Sequence, residues 1–116
     1  MKKTAILKSF AFAFKGLKAA WNERNFKLHL LSTAAAVSLG LYCDIKAFEW
    51  LVVLICIGLV LGLEIINTAI EELVDLVSPG FNEKAGKIKD LAAAAVLVAS
   101  IIALIMAAII FLPYLY

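Results

Sequence analysis

Residues 47–77 read AFEWLVVLICIGLVLGLEIINTAIEELVDLV, and no residue between Glu49 and Glu64 is charged. An apolar run of this length needs a bilayer or a large protein interior, and a chain of 116 residues cannot supply the latter. The stretch therefore predicts a membrane span over 47–70, with the helix continuing to Val77, where Ser78-Pro79-Gly80 breaks it. Two more apolar runs flank it, at 28–43 and 91–112. Each is close to the roughly 20 apolar residues that a hydrocarbon core requires. The intervening connections are a tight polar turn over 44–49 and a polar loop through Lys87.

Composition agrees. Hydrophobic residues make up 65% of the chain and charged residues only 17%, with a mean hydropathy of +1.01. Soluble domains are nearer half apolar, so the composition argues against a soluble globule. The net charge of +2 is small, and its placement matters more than its size. The lysines gather near the N-terminus and in the second loop, a pattern that suits lipid headgroups and phosphates and shows no sign of nucleic-acid reading. Cys43 and Cys56 lie in different settings, one near the end of a span and one deep in another, and packing is the expected use of both.

Residues 1–27 predict an amphipathic helix on the membrane surface. Ile6, Phe10, Phe14, Leu17 and Trp21 fall in one stripe about 80° wide, with Lys8, Lys15 and Lys18 on the other side. A soluble partner-binding helix is the alternative, and the spans that follow at once argue against it. The basic stretch is too long for the n-region of a signal peptide, which predicts insertion without cleavage. Lysine and arginine bias then places the N-terminus and second loop in the cytoplasm, with Tyr42, Trp50, Tyr114 and Tyr116 at the outer interface. Rows of small residues, Gly58/Gly62, Ser32/Ala36/Gly40 and Ala95/Ala99/Ala103/Ala107, mark expected helix-packing faces.

The chemistry lies in one polar stripe. Glu64, Asn67, Glu71 and Asp75 share a face of the second span about 80° wide and span roughly 16 Å along it. The last acids alone would read as an ordinary solvated helix end. Glu64 and Asn67 change that reading, because a solvated face does not extend into hydrocarbon, where an ionisable group costs several kcal/mol. Glu23, where the surface helix meets the first span, and Lys89-Asp90, where the third begins, face the same side of the membrane. Carboxylates, an amide and a lysine at one water–lipid boundary are what phosphoryl transfer needs. His29 lies just inside the first span; contact with phosphate or lipid is one use, an interhelical hydrogen bond the commoner. There is no P-loop or Gly-rich phosphate loop, so the residues alone reach a polar, possible metal site and do not imply ATP.

The run Glu64-Ile65-Ile66-Asn67-Thr68-Ala69-Ile70-Glu71-Glu72-Leu73-Val74-Asp75, then Lys89-Asp90 before an alanine-rich helix, resembles the prokaryotic diacylglycerol kinase family. Lys15-Gly16-Leu17-Lys18-Ala19-Ala20-Trp21 and Asn22-Glu23 extend the resemblance over nearly the whole chain. It implies an all-α membrane protein of the bacterial cytoplasmic membrane, with a surface helix, three spans and a homotrimer whose subunits share composite sites. It further implies an ATP- and Mg²⁺-dependent kinase acting on a membrane lipid alcohol. By position, Glu64 would be the general base, Glu23 and Glu71 the Mg²⁺ ligands, and Asn67 the group orienting the γ-phosphate or Glu64. Lys89 would contact phosphate, Asp90 would support the nucleotide, and Lys15 is a weaker phosphate contact. Asp75 would serve the nucleotide or the helix end. The run Asn22 to Leu30, NERNFKLHL, is more similar to the Gram-positive branch, which includes undecaprenol kinases; proteobacterial members carry an acid at the position of His29. The competing classes are a small proton-coupled transporter, whose glutamate should sit near the midplane with little cytoplasmic polar apparatus, and a non-catalytic membrane adaptor.

Overall fold

The computed structural model describes residues 2–116; Met1, where the predicted surface helix begins, lies outside the described residues. Four helices follow in order: α1 (Lys2–Trp21), α2 (Arg24–Cys43), α3 (Ala47–Val77) and α4 (Glu83–Leu115). The last three are long and apolar enough to cross a membrane. α3 and α4 form the most extensive pairing, α2 packs across both, and α1 touches α2 and α3 near its end.

α1, the predicted surface helix, is shorter than the sequence predicts. It ends at Trp21 instead of continuing to residue 27, because Glu23 turns extended (φ −81°, ψ 131°) and becomes the residue before a new helix. The Asn22 and Glu23 amides are satisfied by the carbonyls of Ala19 and Ala20, which closes α1. Within the chain only Ala20 of α1 is buried, and Ile6, Phe10, Phe14, Leu17 and Trp21 are all exposed. The loop between α3 and α4 is also shorter than expected. Asn82 caps α4 by accepting hydrogen bonds from the Lys84 and Ala85 amides at 2.9 and 3.2 Å, so helix begins at Glu83 and Lys87 is helical.

At the opposite end of the bundle the α2–α3 turn is narrow. Asp44 takes the left-handed conformation (φ 52°), and the Lys46 amide donates to Glu49 at 2.9 Å, fixing the first turn of α3. Ile45 tucks inward and joins Val53, Ile110 and Phe111 in the apolar core. Tyr114 donates a hydrogen bond to Glu49, tying the end of α4 to the start of α3. The aromatic residues Tyr42, Trp50, Tyr114 and Tyr116 therefore gather at one end, as their positions in the sequence predict.

The small-residue rows divide in use. Gly40 lets α2 approach the Trp50 ring so closely that an added Cβ would lie 2.6 Å from Cη2. A Cβ added at Gly58 or Gly62 would meet nothing within 4 Å, so that pair makes no close approach inside the chain.

Candidate active site

At the end of the bundle away from the aromatic residues, α3 carries the two buried polar side chains among the described residues. Glu64 is 3% exposed and Asn67 4%. On the same helix Ile66 and Leu73 face outward. The helical repeat leaves one inward strip, and Glu64, Asn67 and Val74 occupy it. Burial of a carboxylate in such a place demands partners or water.

Partners are present. The amide nitrogen of Asn67 donates to Oε1 of Glu71 at 2.8 Å, an i,i+4 contact that continues the strip toward the helix end. The carbonyl oxygen of the same side chain is buried with no protein partner. The ring of His29, reaching over from α2, places Nε2 3.6 Å from Oε2 of Glu64. Glu71, on the same helix, and Glu23, at the α1–α2 junction, lie within electrostatic reach of Glu64. Glu23 owes its place to the break between the helices: an uninterrupted helix would have carried it along the surface.

Asp75 and Lys89 stand apart from this cluster. Lys89 Nζ is bonded to Asp75, joining α3 to α4 across the loop, roughly 16 Å along α3 from Glu64. They border a shallow pocket of about 250 Å³ with Pro79, Phe81 and Gly86. Asp90 is exposed at the start of α4, and Lys15 is exposed on α1 with its Nζ 5.7 Å from the Phe12 ring centre. The fold thus gathers Glu23, Glu64, Asn67 and Glu71, sets Asp75 and Lys89 beside each other further out, and leaves Asp90 and Lys15 on the surface. The neighbour that sequence reasoning did not place is His29; its spacing gave no register between α2 and α3.

Among the described residues no three His, Cys, Asp or Glu side chains come together as a ready-made metal cage. Mg²⁺ seldom uses one: it keeps waters and takes one or two carboxylates together with substrate phosphates. The chemistry of the Glu23 and Glu71 carboxylates fits that habit, and Asn67, bonded to Glu71, has a carbonyl oxygen with no protein partner.

A family model described as prokaryotic diacylglycerol kinase matches residues 11–111. An undecaprenol kinase of Bacillus subtilis (strain 168) is 38% identical over 107 residues, which is 91% of this chain and 87% of that protein. A diacylglycerol kinase of Escherichia coli (strain K12) is 37% identical over 103 residues, 88% of this chain and 84% of that one.

Proposed function

Since the chain belongs to the prokaryotic diacylglycerol kinase family, we propose that it is a lipid kinase transferring the γ-phosphoryl group of ATP to the hydroxyl of a membrane lipid alcohol. The observation that carries this reading is the buried Glu64–Asn67 pair, with two further carboxylates and an imidazole around it, at one end of a membrane bundle. A transporter glutamate belongs near the midplane of its span. Here the acids run from Glu64 outward to the helix end, which favours chemistry at the interface.

In the proposed mechanism Glu64 accepts the proton of the lipid hydroxyl as its oxygen bonds to the γ-phosphorus and the bond to the ADP oxygen breaks. A carboxylate aimed from within the apolar part of the bundle meets a hydroxyl that arrives through the lipid. Glu71 and Glu23 would hold Mg²⁺, which would supply positive charge against the phosphates. Asn67 keeps Glu71 in place through its 2.8 Å bond and offers its free carbonyl to the site. Lys89 binds phosphate as a point charge, Asp90 supports the nucleotide, Asp75 holds Lys89 and the helix end, and Lys15 is a secondary phosphate contact.

The distance from the Asp75–Lys89 pair to Glu64 supports a site completed between subunits. We assign the chain to a homotrimer in the bacterial cytoplasmic membrane, with the N-terminus and the α3–α4 loop cytoplasmic and α1 lying in the headgroup plane. Undecaprenol is the slightly favoured acceptor over diacylglycerol because His29 and its flanking run follow the Gram-positive branch. The identities to relatives of the two kinds, 38% and 37%, do not separate them.

The test is purified protein in lipid vesicles with Mg²⁺ and γ-labelled ATP, offered diacylglycerol and undecaprenol separately. Label in at least one extracted lipid is expected, with the higher rate on undecaprenol. Label in neither refutes the kinase reading.

A further inference from the structure

His29 is the single histidine of the chain, and the phosphoryl-transfer reading gives it no task. Its ring stands between two environments. On one side lies Glu64, with Nε2 to Oε2 at 3.6 Å and side-chain exposures of 23% for the histidine and 4% for the acid. On the other lies an intramembrane cleft of about 340 Å³ between α2, α3 and α4, walled by Ala36, Val53, Cys56 and Ala107. The helix backbone is anchored just there, the Thr33 hydroxyl donating to the His29 carbonyl at 2.9 Å.

The other titratable groups near Glu64 are Glu71 on α3 and Glu23 at the start of α2, both acidic residues. Asn67 already directs its amide nitrogen to Glu71. From α4 the cleft receives Ser100, a hydroxyl, and no titratable side chain. A carboxylate buried among carboxylates needs a donor to hold one orientation, and His29 brings a ring N–H to it. The 3.6 Å separation is longer than a hydrogen bond. Catalytic hydrogen bonds commonly tighten only when substrate is bound.

We infer that His29 is a positioning residue that donates its Nε2–H to Oε2 of Glu64, fixing the carboxylate so that its second oxygen meets the lipid hydroxyl. The inference rests on the reading of Glu64 as proton acceptor. It requires the Nε2–H form of the ring, because a bare Nε2 facing a carboxylate would bring two acceptors together.

Two measurements test it. Selective ¹⁵N-histidine labelling of the whole protein in lipid gives a single ring, read without assignment. Protonated Nε2, with a resonance that moves in Glu64→Gln, is expected; an Nδ1–H tautomer with bare Nε2 overturns the inference. In the kinetic arm, His29→Ala should lower kcat roughly 10- to 100-fold, the scale of a misplaced catalytic group, with the KM for ATP unchanged. His29→Gln, whose amide nitrogen stands near the position of Nε2, should recover to within a few-fold of wild type and keep its pH profile. Wild-type turnover in His29→Ala overturns the inference, as does a Gln variant as slow as Ala, which would assign the ring to proton uptake. The labelled spectrum does not depend on turnover. A wild-type protein that phosphorylates no lipid while carrying a donated Nε2–H refutes the kinase and leaves the contact standing.

Discussion

Asn67→Ala isolates one link of the site. The side chain is 4% exposed, and its 2.8 Å bond to Glu71 is the contact that orients a carboxylate assigned to metal. A hydrogen bond to an ionised acceptor contributes about 1.5–3 kcal/mol, which at 1.4 kcal/mol per decade is roughly a 10- to 150-fold change in an equilibrium. The loss should appear in metal affinity, since removing the residue that orients a ligand typically weakens a metal by about 10- to 100-fold. Initial rates measured across a Mg²⁺ titration at saturating ATP and lipid should show the half-saturating concentration rising by that factor. The rate at full metal should change less. Asn67→Asp should be worse, because it replaces the donor to Glu71 with a second anion beside it. A Mg²⁺ dependence in Asn67→Ala equal to that of wild type would refute both the role of the bond and the assignment of Glu71.

Two further outcomes are expected. Gly40→Ala places a methyl 2.6 Å from Cη2 and 2.9 Å from Cζ2 of Trp50; overpacking costs about 1–3 kcal/mol against a helix-propensity gain of about 0.5–1 kcal/mol. Detergent-induced unfolding should show a net loss of roughly 0–2.5 kcal/mol, and a variant clearly more stable than wild type would contradict the packing. Asp75→Asn should alter stability by less than about 1 kcal/mol, because the Asp75 and Lys89 side chains are 64% and 37% exposed and such pairs are screened by water. Lys89→Ala should instead slow phosphorylation markedly; a wild-type rate in Lys89→Ala would remove Lys89 from the phosphate site.

The spans were legible because hydropathy is a property of composition. Residues 47–77 have few alternatives, and Ser78-Pro79-Gly80 marks the end of α3 in plain letters. The two misplaced boundaries have local causes. At Asn22-Glu23 no proline or glycine announces a break, and Arg24 and Lys27 continue the basic character of α1, so the surface helix reads on to residue 27. At the start of α4, Asn82 followed by Glu83 is a cap signal, but the polar run through Lys87 disguises it as loop. Glu64, Asn67 and Glu71 could be set on one face from spacing alone. That the face is buried, that His29 meets it, and that Gly40 rather than Gly58 and Gly62 makes the close approach all depend on the register between helices. No spacing within one helix encodes that register.

Glu64→Gln bears most directly on the account, since it keeps the shape of the buried side chain and removes its capacity to take a proton. Measured by label transfer from γ-labelled ATP to lipid, with nucleotide binding followed separately, turnover should fall by roughly 10²- to 10⁴-fold while ATP still binds. Turnover within a few-fold of wild type would contradict the claim that this buried acid does the chemistry.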